Sequence, residues 1–200
     1  MPAGQLDTVW VRVVAEDGTW GLGQCAFGEP VSAFINTVIA PIIEGQNCMA
    51  IEHLNDLIVR ISQRFGTSGT ASTAIRVVDL ALWDLKGKIL NQPVYSLLGG
   101  PVRESITCYA TSDDLDWSQE LGFTKFKITN PSHYSDGDAG IKAVIDHVSQ
   151  ARERVGAEHD LMINPVMSYN FEFAQRLLEH LRPYNLRSVS YTHLTLPTKA

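Results

Sequence analysis

Lys125-Phe126-Lys127 is the spacing in this 200-residue chain with the clearest chemical content. Residues two apart on a strand project to one face, so a strand here stands two primary amines side by side. Each ammonium disfavours the charge on the other, and a water-poor interior disfavours both. The product is a neutral amine able to act as a general base. The competing reading is a pair of exposed lysines on an edge strand, against which Phe126 between them argues for burial on both sides. A second candidate is Asn164, the polar end of the apolar run Leu161-Met162-Ile163. Its amide oxygen suits a hard cation such as Mg2+, while the plainer reading is a loop-starting residue ahead of Pro165. His133 falls between a predicted strand and a predicted helix, at the end where a barrel would do its chemistry. His53, His147 and His180 fall on predicted helices, where solvated or half-buried roles are the default, and Asp79 and Asp84 read as capping or surface-pairing groups. Gly21-Leu22-Gly23 is no dinucleotide loop, because no helix opens directly behind it.

The elements that must position these residues come in two rhythms. Residues 6–15 and 20–26 read as two strands joined at Asp17-Gly18, a hairpin signal. A two-stranded sheet is marginal alone, so a further strand is expected ahead of them. Val31, Phe34, Ile35, Val38 and Ile39 fall on one helical face that Pro41 interrupts, and Ile51, Leu54, Leu57, Ile58 and Ile61 repeat the period. Residues 65–70 read as a small-residue loop. A helix over 73–90 follows, apolar almost all round, as for a helix sandwiched between layers. After Pro101 strands at 105–110, 123–129 and 161–164 alternate with helices at 117–121, 140–155 and 171–181. Such alternation implies a parallel sheet, either doubly wound or of the (β/α)8 kind. Residues 188–200 carry no helical period. They resemble the translated reading frame of a sequencing adapter, the alternative being a natural strand followed by a tail.

Composition bounds the class. Apolar residues make up 44% of the chain, enough for a core, and the net charge is −6. An acidic balance argues against nucleic acid or an anionic membrane as partner. No apolar run is long enough to span a bilayer, and residues 1–5 lack the layout of a signal peptide. Cys25, Cys48 and Cys108 are widely spaced without a CxxC pair, which fits reduced thiols in a cytoplasmic protein rather than a disulfide framework or zinc site.

Residues 73–88 (Thr73 through Trp83-Asp84-Leu85-Lys86 to Lys88), followed by Gln92-Pro93-Val94-Tyr95-Ser96-Leu97-Leu98-Gly99-Gly100, resemble the mandelate racemase/muconate lactonizing branch of the enolase superfamily. Val11-Arg12-Val13 and Gly21-Leu22-Gly23-Gln24-Cys25 are similar to that branch's N-terminal strands. Arg152-Glu153-Arg154-Val155-Gly156 and the run from Leu161 through Tyr169 resemble its sugar-acid dehydratases of the rhamnonate type. The resemblance implies an α/β protein: an α+β capping domain over residues 1–104, then the first units of an incomplete (β/α)8-type barrel over 105–187. Residues 188–200 are left as a non-native tail, and the whole as a truncated chain. It further implies proton abstraction next to a carboxylate, with Mg2+ stabilising the enediolate and water then lost. Lys127 would be the base and Lys125 its electrostatic companion. Gln24, Phe65, Thr67 and His133 would contact substrate, and Asn164 would stand at the first metal-ligand position. The full-length parent is expected to be a homo-oligomeric lyase acting on a small sugar acid, and the 200-residue chain itself to be inactive.

Two departures from that pattern matter. The first metal-ligand position is usually an acid, and an amide contributes an oxygen without charge. After Arg187 the branch would continue with the next metal carboxylate, where Ser188-Val189-Ser190 stands instead. A racemase or cycloisomerase of the same branch shares the first chemical step. A non-catalytic binding homologue is the reading that Asn164 favours.

Overall fold

The computed structural model describes residues 8–26, 28–66 and 68–189. They fall into two units that divide between Glu104 and Ser105.

In the first unit Val9–Val14 (β1) and Trp20–Cys25 (β2) pair antiparallel, Val9 opposite Cys25 and Val14 opposite Trp20. Asp17 shapes the turn by accepting the N–H of Thr19 at 2.8 Å. Gly28–Phe34 (α1), a π turn over Ile35–Ile39 and Ala40–Ile43 (α2) follow as one helical path. Pro41 therefore does not end the helix as its position predicts. A proline cannot donate to the carbonyl four residues back, and the chain widens into the π turn just ahead of it. Ile51–Ser62 (α3) buries Ile51, Leu54 and Ile58 on one face. Thr70–Leu90 (α4) buries Ala74, Val77, Val78, Ala81, Leu82 and Leu85. Its other side is not sandwiched, since Leu80 is 54% exposed. The helix closes on Asn91, whose left-handed backbone lets its N–H reach the carbonyls of Gly87 and Lys88. Val94–Leu97 (α5) completes the unit.

Helix α4 lies against β2 because two glycines let it. A Cβ on Gly21 would stand 2.0 Å from the Ala81 carbonyl oxygen, and one on Gly23 would stand 2.1 Å from that of Val77. Backbone meets backbone, which only glycine permits.

The second unit is a parallel sheet, Ala110–Thr111 (β3), Lys125–Thr129 (β4), Asp160–Asn164 (β5) and Ser188–Val189 (β6), in chain order. Leu115–Glu120 (α6), Gly137–Val155 (α7) and Phe171–Leu181 (α8) are the crossovers. Phe126 and Ile128 of β4 and Leu161 and Ile163 of β5 form one core cluster with Leu115, Val144, Val148, Phe173 and Leu177 from the three helices. All the helical cover thus meets one face of the sheet. That is the layering of a barrel sector rather than of a doubly wound sheet with helices on both faces. One expectation changes. The strand predicted over 105–110 shrinks to Ala110–Thr111, with Ile106 77% exposed and unable to contribute to a core. Ser188 and Val189, the first residues of the segment read from sequence as a non-native tail or else a natural strand, pair with Met162 and Ile163 as the sheet's fourth strand. Among the described residues no helix is long and apolar enough to cross a membrane, and the three cysteines are free.

Candidate functional site

The alternation of β4 and β5 decides where the chemistry sits. With Phe126, Ile128, Leu161 and Ile163 turned to the helices, period two sends Lys125, Lys127 and Thr129 to the opposite face, together with Asp160, Met162 and Asn164. The register pairs Lys125 with Asp160, Lys127 with Met162 and Thr129 with Asn164. One face of the sheet therefore carries both amines and the amide, Lys127 and Asn164 on adjacent strands and two positions apart along them. Both are half-buried. Asn164 ends its strand at the carboxyl edge, where barrel enzymes place their reacting groups.

The two lysines are not equivalent. The Lys125 ammonium is ion-paired to Asp160, with Arg187 Nη1 3.9 Å from the same carboxylate. The Lys125 hydrogen bond holds the Asp160 carboxyl below the usual carboxylate range, against a smaller opposing effect of burial. Lys127 has no such partner: its Nζ stands over the Tyr109 ring, 5.9 Å from the centroid. Among the described residues no carboxylate lies within 4.0 Å of it, the reach at which an ion pair forms. The carboxylate on Lys125 offsets the repulsion that the sequence pattern alone would assign to the pair.

Asn164 Oδ1 is buried and, among the described residues, has no hydrogen-bond partner. A buried acceptor left unpaired is costly, and an orphaned amide oxygen at a strand's carboxyl end is the donor a hard cation would take. Among the described residues no group of three or more His, Cys, Asp or Glu side chains stands ready to hold a metal. The fit to Mg2+ is therefore that of a single neutral donor. That oxygen lies on the amine-bearing face.

The loops beyond these strands are tied to each other. Tyr169 donates its hydroxyl to Asn130 Oδ1 at 2.7 Å, and the N–H of Tyr134 reaches the Ser168 carbonyl at 2.9 Å. Burial pushes the Tyr169 phenol well up, so it stays a donor at any physiological pH. Val166 and Met167 both adopt positive φ, 48° and 62°. For a β-branched valine this is a strained conformation, of the kind that collects near functional sites.

The remaining sequence candidates are placed as follows. His133 lies in the loop after β4, exposed, and caps the short turn Tyr134–Asp136: its Nδ1 accepts the N–H of Ser135, while its own N–H goes to Asp136. In the first unit Gln24 is exposed on β2, and Phe65, 60% exposed, meets Phe34 edge-on at 5.2 Å. Thr67 lies outside the described residues. A groove of ≈ 950 Å³ in that unit runs along β1 and is lined by Ile35, Ile43, Leu54 and Leu82 among others, but by neither Gln24 nor Phe65.

Sequence reasoning missed Asp113 and Asp160. Asp160 precedes an apolar run by one residue, and its partnership with Lys125 exists only through the strand register. Asp113 stands just past the end of β3, a position readable as a strand-end acid once the strand is known to stop at Thr111.

Residues 3–99 match the family described as mandelate racemase / muconate lactonizing enzyme, N-terminal domain. An L-rhamnonate dehydratase of Saccharopolyspora erythraea is 39% identical over 182 residues, 91% of this chain and 47% of that protein. Among solved structures, L-rhamnonate dehydratase from Gibberella zeae superposes with a TM-score of 0.86 at 27% identity, covering 94% of this chain and 48% of that one. Rhamnonate dehydratase from the same organism complexed with Mg gives 0.85 at 28%, covering 92% and 45%. The chain spans about half the length of the curated relatives it matches.

Proposed function

The chain belongs to the mandelate racemase/muconate lactonizing branch of the enolase superfamily, whose N-terminal domain occupies residues 3–99, and on that premise we propose that the intact protein is a Mg2+-dependent sugar-acid dehydratase. The observation that supports this is the shared face: Lys127, with no carboxylate within 4.0 Å among the described residues, and an Asn164 oxygen unpartnered among them, two positions along on the next strand. The similarity to rhamnonate dehydratases supports an aldonic acid as substrate.

Lys127 takes the proton from the carbon next to the substrate carboxylate, acting as general base from within hydrogen-bond reach. Lys125, fixed by Asp160, keeps a cation on the same face and favours the approach of an anionic substrate. Asn164 would contribute its Oδ1 to holding the metal. Magnesium, when bound, supplies positive charge against the negative charge that develops on the substrate as the proton leaves. The hydroxyl leaves the neighbouring carbon as water, with a proton that balances the one Lys127 removed, and the enol left behind tautomerises to a 2-keto-3-deoxy acid.

The test is to incubate a protein of the relatives' full length with aldonic acids and Mg2+. A 2-keto-3-deoxy product is expected. Exchange at carbon 2 with epimer formation and no keto acid would overturn the dehydratase reading in favour of a racemase. Lys127→Ala is expected to abolish solvent-deuterium exchange at that carbon, and exchange that survives it would remove Lys127 as the base.

A further inference from the structure

We infer that Asp113 is a positioning residue that holds the end of the Lys127-bearing strand, and with it the spacing between the Lys127 amine and the Asn164 oxygen. This rests on the proposed role of Lys127 and concerns a residue outside the amine–amide pair.

The backbone ladder on that side of β4 runs out early. Strand β3 pairs only Ala110 with Phe126 and Thr111 with Lys127, and the N–H of Ser112 still reaches the Lys127 carbonyl at 3.2 Å. Beyond that point β3 offers β4 no further rung. The Asp113 carboxylate takes over: Oδ1 accepts the Thr129 N–H at 2.9 Å and Oδ2 accepts the Thr129 hydroxyl. A side chain thus continues the pairing that a longer strand would have given. Thr129 is also the residue in register with Asn164, so the clamp acts on the rung that carries the amide. His147 of α7 brings Nε2 to 3.5 Å from Asp113 Oδ1, which is long for a hydrogen bond, so Thr129 is the carboxylate's principal partner. Burial works against the Asp113 charge, but the two Thr129 hydrogen bonds, with His147 adding to them, outweigh it and hold the carboxyl below its usual range. The group is an anion and acceptor throughout the neutral range.

A strand end that slips moves the amine relative to its target carbon, and misplacement of about an ångström costs up to about a hundredfold in rate. The experiment uses the full-length protein with an aldonic acid and Mg2+, comparing wild type, Asp113→Ala, Asp113→Asn and Thr129→Val. Asp113→Ala is expected to lower kcat by about 10- to 100-fold with KM within about threefold. Asp113→Asn keeps an acceptor for the Thr129 N–H and should recover most of that loss. Thr129→Val removes only the hydroxyl and should give a smaller fall. Should Asp113→Ala prove unfolded by circular dichroism, Asp113→Asn and Thr129→Val decide: an unchanged kcat in both overturns the positioning role. A change confined to KM, or an Asn variant no better than a folded Ala variant, overturns it as well. A wild-type protein that yields no keto acid overturns the dehydratase reading instead, and the role of Asp113 falls with it.

Discussion

Asp84 Oδ2, nearly two turns from the end of α4, accepts the backbone N–H of Leu22 at 2.7 Å and the Lys88 ammonium at the same distance. The carboxylate therefore seals a backbone donor of β2 on its helix side, while β1 pairs the other edge. Lys88 in turn reaches the Trp20 carbonyl at 3.0 Å and lies over the Trp20 ring at 4.0 Å. Asp84→Ala is expected to destabilise the protein by about 1–2 kcal/mol, because it leaves a backbone donor unpaired. A thermal melt against wild type measures this, and an unchanged midpoint would show the contact to be dispensable.

The same carboxyl sets a pH dependence. Burial raises its pKa, but the bonds from Lys88 and from the Leu22 N–H outweigh that and leave it lowered. Asp113 and Asp160 are lowered too, by their bonds to Thr129 and Lys125. A carboxyl whose folded pKa lies below its unfolded value of about 3.9 adds stability that is complete above that value and lost as pH falls through the folded one. The melting midpoint is expected to be flat from neutral pH to about 5 and to fall below about 4. Asp84→Asn should make that fall shallower, and an acid limb of unchanged steepness in the variant would exclude Asp84 as a contributor.

Gly23→Ala should be severe. The added methyl has no flexible neighbour to displace, since it meets the Val77 carbonyl oxygen 2.1 Å away. A loss of about 3 kcal/mol or more is expected, at the upper end for overpacking because backbone must move. Gly18→Ala serves as the contrast: nothing lies within 4 Å of its position, and only its φ of +85° opposes the change. Comparable losses at the two sites would mean that α4 shifts easily enough to relieve the contact at Gly23.

Arg152 of α7 donates to four carbonyls, those of Tyr184, Gly156, His159 and Asn185, at 2.8 to 3.1 Å. It fastens the approaches to β5 and β6 onto α7. Arg152→Ala is expected to cost about 2–4 kcal/mol in chemical denaturation, and Arg152→Lys to recover only part, since an ammonium cannot match the guanidinium's fan of donors. Full recovery by lysine would show that charge alone matters here.

Asn164→Asp tests the donor. An added charge at a hard-cation ligand strengthens divalent binding, and the full-length variant should take Mg2+ about tenfold more tightly by calorimetric titration, a difference of about 1.4 kcal/mol. Unchanged affinity would place Asn164 outside the metal's reach.

The period-two placement of Lys125 and Lys127 beside Phe126, and the apolar run ending at Asn164, were legible because alternation is a local property of a strand. The helices over 140–155 and 171–181 were legible for the same reason, their apolar spacing being unambiguous. Asp160 on Lys125 and Asp113 on Thr129 were not, because each depends on which residue of one strand faces which of the next, information that no single segment contains. The helical path through Pro41 was misjudged because a π turn absorbs what an ideal helix could not. The short β3 was overestimated because β-prone residues at 105–109 lack a face to bury.

Gly21 and Gly23 carry one more consequence. At these two positions the helix meets the ribbon main chain to main chain, on the face opposite the exposed Gln24. A side chain standing outward there, such as Gln24, can be exchanged over generations while the scaffold beneath it stays untouched, which separates change at the surface from the robustness of the frame.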